Sequence, residues 1–144
     1  MEDASVVIRG AAALVVVALA ACGRGAAPQQ APVVVGTHAA RLVAAPLAQP
    51  NAPPRIVRVW LSEDSVGAGD VLRGHVTTTT NVASLEVRLG PKSAPLKRTT
   101  FGQFEGTYRV PLVPAFLRRS YNIEVIARNA AGDEAQADVT ITYR

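Results

Sequence analysis

A nucleophile with its base and acid, or a set of metal ligands, would have to come from very few side chains in this 144-residue sequence. It holds one cysteine, Cys22, and two histidines, His38 and His75. A serine–histidine–acid set needs a histidine beside its serine. His38 stands in a stretch rich in proline and alanine, with no partner for catalysis or ligation. His75 lies mid-run between Arg73 and Thr77, where alternation assigns it to the wet side of a strand. Two histidines and one cysteine fall short of a zinc site. The acidic pairs Glu63-Asp64 and Asp133-Glu134 occupy turn sequences, where acids are expected, and no alternating acidic run offers calcium ligands. No glycine-rich phosphate loop occurs. The expectation is a protein that is not an enzyme and holds no metal or cofactor. A lone cysteine also excludes an intrachain disulfide. The net charge of +4 comes from 15 bases interspersed with 11 acids, which is no nucleic-acid-binding arm.

What Cys22 could do depends on what precedes it. Residues 10–21 (GAAALVVVALAA) carry no charge and follow Arg9. The run is too short for a hydrocarbon core, which needs about 20 apolar residues, but it suits a signal-peptide core of about 7–15. It ends in Leu19-Ala20-Ala21-Cys22-Gly23. Leu-Ala-Ala-Cys resembles the lipobox of bacterial lipoproteins. The resemblance implies diacylation of the Cys22 thiol, cleavage just before it, and acylation of the new amino terminus. The small residues Ala20 and Ala21 give a peptidase access to the bond, and only a thiol can carry the thioether. Glu2 and Asp3 offset Arg9, so the region before the apolar run departs from the usual positive charge. The competing reading is a cysteine buried in an apolar helix. Gly23, in place of Asp, resembles the pattern of lipoproteins released to the outer membrane of diderm bacteria. Residues 1–21 are thus expected to be a lipoprotein signal peptide, and the mature protein to be lipid-anchored outside the cytoplasm.

The span 22–54 reads as a flexible tether. Its 32 residues after the cysteine include six prolines and nine alanines, with no acid and no aromatic. Proline removes backbone donors, and so little apolar surface cannot offset the entropy of ordering. As an extended polyproline chain it would reach roughly 100 Å. Residues 33–35 (VVV) and 41–45 could form brief local structure.

From Arg55 onward, apolar residues alternate between turn signals. Val57, Val59 and Leu61 share one face. Leu72, Gly74, Val76 and Thr78 follow, then Leu85, Val87 and Leu89. A short, weak strand spans 95–100, and Phe104, Tyr108 and Val110 come next. Tyr121, Ile123, Val125 and Ala127 precede a hairpin signal at Gly132, and Ala135, Ala137, Val139, Ile141 and Tyr143 complete the series. Seven half-buried strands in 90 residues predict two antiparallel sheets packed face to face. The long crossing over 111–120 favours a Greek key over a closed barrel. The stretch from Tyr121 through Ala127 and Asn129 to Gly132 resembles the late strands of bacterial Ig-like domains, as do Gly69-Asp70, Gly102-Gln103-Phe104 and Val110-Pro111. The resemblance implies a single immunoglobulin-like β-sandwich over 55–144. It places Tyr121 at a tyrosine corner and a fully buried Ile123, packed near Val76, where antibody domains carry a cysteine.

Two surface features could carry recognition. Parity turns Trp60 away from the core, either as a stacking or anchoring side chain or as an indole lying over a sheet edge or under the tether. Arg118 and Arg119, with Arg109, Lys97 and Arg98, could form a basic patch, or be solvated loop charge. The run Thr77–Thr80 reads as β-propensity on a wet edge. The functional expectation is a lipid-anchored envelope protein with a non-catalytic binding, adhesion or structural module. It would meet the membrane through Cys22 and an envelope protein or glycan through Trp60, Arg118 and Arg119. The alternative is an accessory subunit that presents or steers a partner envelope enzyme.

Overall fold

The computed structural model describes residues 31–36 and 43–144. Cys22, the signal segment 1–21 and His38 lie outside the described residues. The described residues are all-β and form two five-stranded sheets. The first holds β1 (Val33–Val35), β2 (Ile56–Leu61), β4 (Val71–Thr78), β8 (Gln103–Arg109) and β7 (Lys97–Thr100), in that spatial order. The second runs β3 (Ser65–Val66), β10 (Glu134–Tyr143), β9 (Ser120–Asn129), β5 (Val82–Leu89) and β6 (Lys92–Pro95). The sets β2-β4-β8-β7 and β10-β9-β5 reproduce the two sheets of immunoglobulin-like sandwiches.

Alternation builds the core as the sequence dictates. Val59, Val76 and Phe104 form one cross-strand row of the first sheet. They face Leu85, Val125, Ala127, Ala137 and Val139 of the second, all buried in one apolar cluster. A bulge between Ile56 and Arg58 shifts the parity of β2, so Ile56 rather than Val57 joins Val59 and Leu61 inside. Tyr121 donates its hydroxyl to the Leu117 carbonyl four residues upstream, the backbone return expected of a tyrosine corner. Ile123 is only half-buried at the cluster's margin, and Val125 and Ala127 take the deepest positions on β9. Tyr108, expected inside, pairs with Leu72 at the far end of β8 and stands in solvent.

The seven-strand expectation is corrected to ten strands among the described residues. The weak strand near 95–100 is two strands that change sheets. β6 pairs with β5, Leu96 turns inward with its amide on the Leu85 carbonyl (2.8 Å), and β7 pairs with β8. β3 is a two-residue parallel pairing with β10.

The tenth strand comes from the span expected to be a tether. β1 pairs parallel with β2, framed by Val59 N–H to Pro32 O (3.1 Å) and Gly36 N–H to Leu61 O (3.2 Å). Residues 43–54 then form a strap over one end of the sandwich. The strap has no hydrophobic period, and polar groups of the sandwich hold its backbone. The Thr80 hydroxyl accepts from the Ala48 amide (3.0 Å), and that of Thr79 from Arg55 (3.0 Å). Asn81 and Asn129 both donate to the Ala52 carbonyl, at 2.6 and 3.1 Å. Where it is described, the span 22–54 is therefore part of the folded body. Thr77, Thr78 and Thr79 are buried rather than on a wet edge.

Candidate functional site

Trp60 leaves the core cluster as its parity predicts, yet it does not meet solvent. It is 4% exposed, on the outer face of the first sheet. Its cross-strand row reads Val34, Trp60, His75, Glu105 and Lys97. His75, expected to be solvated, is 3% exposed. Its Nε2 lies 2.6 Å from Gln103 Oε1, which also accepts from the Thr77 hydroxyl (3.0 Å). The Gln103 amide nitrogen donates to the Val43 carbonyl of the strap (2.8 Å). One glutamine thus ties two strands of the sheet to the segment lying over it. Trp60 has no exposed ring face for stacking, which corrects the expectation of a binding surface there.

Arg118 and Arg119 lie elsewhere, in the crossing between β8 and β9, and both are exposed. The structure does not bring them together with Trp60, which sits mid-sheet on β2. Arg119 places its guanidinium over the Tyr121 ring, 5.4 Å from the centroid. This crossing is built rather than slack. Pro111 O accepts from the Tyr143 hydroxyl (3.0 Å), and Arg119 O accepts from the Tyr143 amide (3.0 Å). A single 3-10 turn spans Ala115–Leu117, closed by Leu117 N–H to Pro114 O (2.9 Å). The loop presents Leu112 (78% exposed) and Phe116 (81% exposed) beside the two arginines. Residues 111–119 contain no acid. These two apolar residues escaped the sequence reading because they belong to no alternating run. The available signal was an aromatic between a proline and two arginines, in a segment with no strand period.

At the same end, the Gly67 amide donates to the Asp70 carboxylate (2.7 Å), and Arg144 approaches it at 3.3 Å. The Gly67 hydrogen bond and then the Arg144 guanidinium hold the Asp70 carboxyl below its ordinary range. Glu63 lies 3.9 Å from the same guanidinium. Among the described residues, no group of three or more histidine, cysteine or acidic side chains could hold a metal ion.

The fold and these surfaces define an immunoglobulin-like β-sandwich with a structured, apolar and basic crossing loop. No family model matches the chain, and no curated protein matches it. Among solved structures, a DUF4785 family protein from Legionella pneumophila is similar at a TM-score of 0.50 and 16% identity. The match covers 59% of this chain and 27% of that one, so it spans about a quarter of the Legionella protein. Fibronectin(III)-like modules of CbhA from Clostridium thermocellum match at a TM-score of 0.45 and 16% identity, over 59% of this chain and 93% of the module. A superoxide reductase from Ignicoccus hospitalis matches at 0.41 and 14% identity, over 65% and 81%. The Legionella likeness supports the sandwich fold.

Proposed function

We propose that this chain is an exported bacterial lipoprotein, held in the membrane by acylated Cys22, whose Ig-like sandwich is a non-catalytic docking module in the cell envelope. The observation that carries the reading is Leu19-Ala20-Ala21-Cys22 at the end of an uncharged run of signal-peptide length. A single acyl chain gives marginal residence. A diacylated thioether plus an amide-linked chain supplies three, each adding about 0.8 kcal/mol per buried CH₂.

The docking surface is the crossing that carries Leu112, Phe116, Arg118 and Arg119. Aromatics and arginine are the side chains enriched where protein interfaces concentrate their binding energy. With Trp60 buried, the indole is withdrawn from recognition, and the exposed Leu112 and Phe116 beside two arginines have the composition of a protein-binding surface. That supports the reading of an accessory subunit that presents or steers an envelope enzyme.

The anchor is tested with Cys22→Ser. The precursor then stays uncut, while a chain beginning at Gly23 behind a plain cleavable signal is soluble and folded. Recovery of that chain in the membrane pellet after a high-salt wash would overturn the single-anchor reading. Crosslinking of the lipidated protein tests the docking surface: one stoichiometric protein partner, lost with Phe116→Ala, is the expected result.

A further inference from the structure

The strand β1 and the strap change the geometry of anchoring. This inference rests on acylation of Cys22. If the whole span 22–54 were tether, the sandwich could move freely far from the bilayer. Instead the chain already packs against the core cluster at Ala31. From Cys22 to Ala31 is 31 − 22 = 9 residues, which reach about 30 Å at full extension.

The place where those residues arrive is also fixed. β1 runs parallel to β2, with Val33 beside Val59. β2 begins at Ile56, paired with Thr78 at the end of β4. The polypeptide therefore enters at the end of the sandwich formed by the turns near residues 79–81, 101–102 and 130–133. The crossing with Phe116 is at the opposite end. Ten residues of β10 separate the two ends, about 33 Å at strand rise. An upturned molecule would need the nine residues at full stretch merely to touch the bilayer with Phe116.

The near end has a surface suited to what it would meet. Leu47 is 92% exposed and Phe101 70%. Together with Ala48, Pro50 and Val82 they line an open apolar cleft of about 450 Å³. Arg98 places its guanidinium 5.5 Å from the Phe101 ring centroid, a cation beside the apolar tip. Apolar side chains with a cation at their rim match the boundary between headgroups and acyl chains.

We infer that the sandwich stands with the Leu47–Phe101 end against the lipid bilayer and holds the Phe116 crossing outward. The lipid surface is the occupant of the Leu47 and Phe101 patch, and the anchor holds it there.

The test uses the full lipidated protein in vesicles of phosphatidylethanolamine and phosphatidylglycerol that contain a spin-labelled lipid quencher. Single cysteines replace Leu47, Phe101, Leu112 or Phe116 and carry a small fluorophore, while acylated Cys22 cannot react. Quenching several-fold stronger at positions 47 and 101 than at 112 and 116 is expected. Equal quenching at the two ends, or stronger quenching at 116, overturns the orientation. The mass of the amino-terminal peptide separates the two ideas. An unacylated Cys22 overturns the anchor and this inference together, whereas an acylated Cys22 with the wrong quenching pattern overturns the orientation alone.

Discussion

On the outer face of the first sheet Trp60 and His75 are buried, whereas the outer face of the second sheet is a network of ion pairs at the surface. There Arg128 reaches Glu134 at 2.6 Å and Glu86 at 3.0 Å, and Arg88 reaches the same Glu86 oxygen at 3.0 Å. Both faces have the same origin, since each consists of the alternate residues that do not enter the core. They differ in what lies outside. The first sheet gains β1 along its edge and the strap tied down through Gln103. On the second, long charged side chains are the cover seen among the described residues, and Ile126, beside Glu86 and Gln136 in its cross-strand row, is itself only 4% exposed. Alternation therefore tells which residues leave the core, and what lies beside and over them decides whether they reach water.

The largest effect should come from the covered face. Trp60→Ala should lower unfolding stability by about 3–5 kcal/mol, the range for truncating a buried aromatic. Phe104→Ala, from the inner row, is the reference for that loss. Urea unfolding of the chain beginning at Gly23 measures both. A Trp60→Ala loss below about 1 kcal/mol would show that the outer face is open and that the two sheets are alike.

Gly102 tests the strap itself. Its φ of +73° is a conformation that side chains rarely adopt. A Cβ there would lie 2.5 Å from the Ala45 Cβ and 2.7 Å from the Thr78 carbonyl oxygen. Gly102→Ala combines backbone strain with overpacking and should cost about 2–4 kcal/mol. The amide of Thr80, which donates to Pro46 O at 3.0 Å, should also exchange faster with solvent. Unchanged exchange at Thr80 would mean that the strap does not depend on this contact.

The sequence made the inner face legible and left the outer one obscure. Val76, Phe104, Val125, Ala137 and Val139 are buried where period-two alternation assigns them. The Tyr121 hydroxyl finds its upstream carbonyl as the Ig-like resemblance implies. The burial of His75 and Thr77 could not be read from β4, because part of what holds them is Gln103 and the strap more than thirty residues upstream. That strap consists of alanines and prolines whose order comes from Thr79, Thr80, Asn81 and Asn129, not from any pattern of its own. The change of sheet at Leu96 was hidden for a related reason. Each of its two strands has only four residues, too few to show a period. For the surface, the exposed arginines 118 and 119 were legible, but Leu112 and Phe116 were not, since a loop has no face to assign.

Gln103→Ala should have an intermediate effect. It leaves His75 Nε2, the Thr77 hydroxyl and the Val43 carbonyl without their present partner in a covered site. Such groups cost about 1–3 kcal/mol when their hydrogen bonds are lost. Gln103→Glu keeps the acceptor but loses the donor to Val43, so it should loosen the strap while retaining the contact to His75. Hydrogen exchange along 43–54, compared between the two variants, separates strap release from general destabilisation. Equal protection of the strap in both variants and the parent would exclude Gln103 as its clasp.

The smallest effect belongs to the wet face. Glu134 is bound to Arg128 by the shortest ion pair of the network, at 2.6 Å, and distance alone would rank the pair beside Trp60. Exposure argues otherwise, because the Arg128 side chain is 34% and that of Glu134 45% exposed. Solvent competes for both groups, and holding two long side chains in one geometry costs entropy. The carboxylates of Glu134 and then Glu86 favour the charged Arg128 guanidinium, as its raised pKa indicates. Glu134→Gln leaves the Glu86 contact in place, so Arg128 keeps one carboxylate. The expected loss is less than about 1 kcal/mol, and it should shrink in molar salt, where charges are screened over about 3 Å. Trp60→Ala should depend less on salt, since burial of a large aromatic accounts for most of its loss. Urea unfolding of the two variants in low and molar salt makes the contrast directly. A Glu134→Gln loss as large as that of Trp60→Ala, and indifferent to salt, would mean that the ion-pair face is structural in the same sense as the covered one.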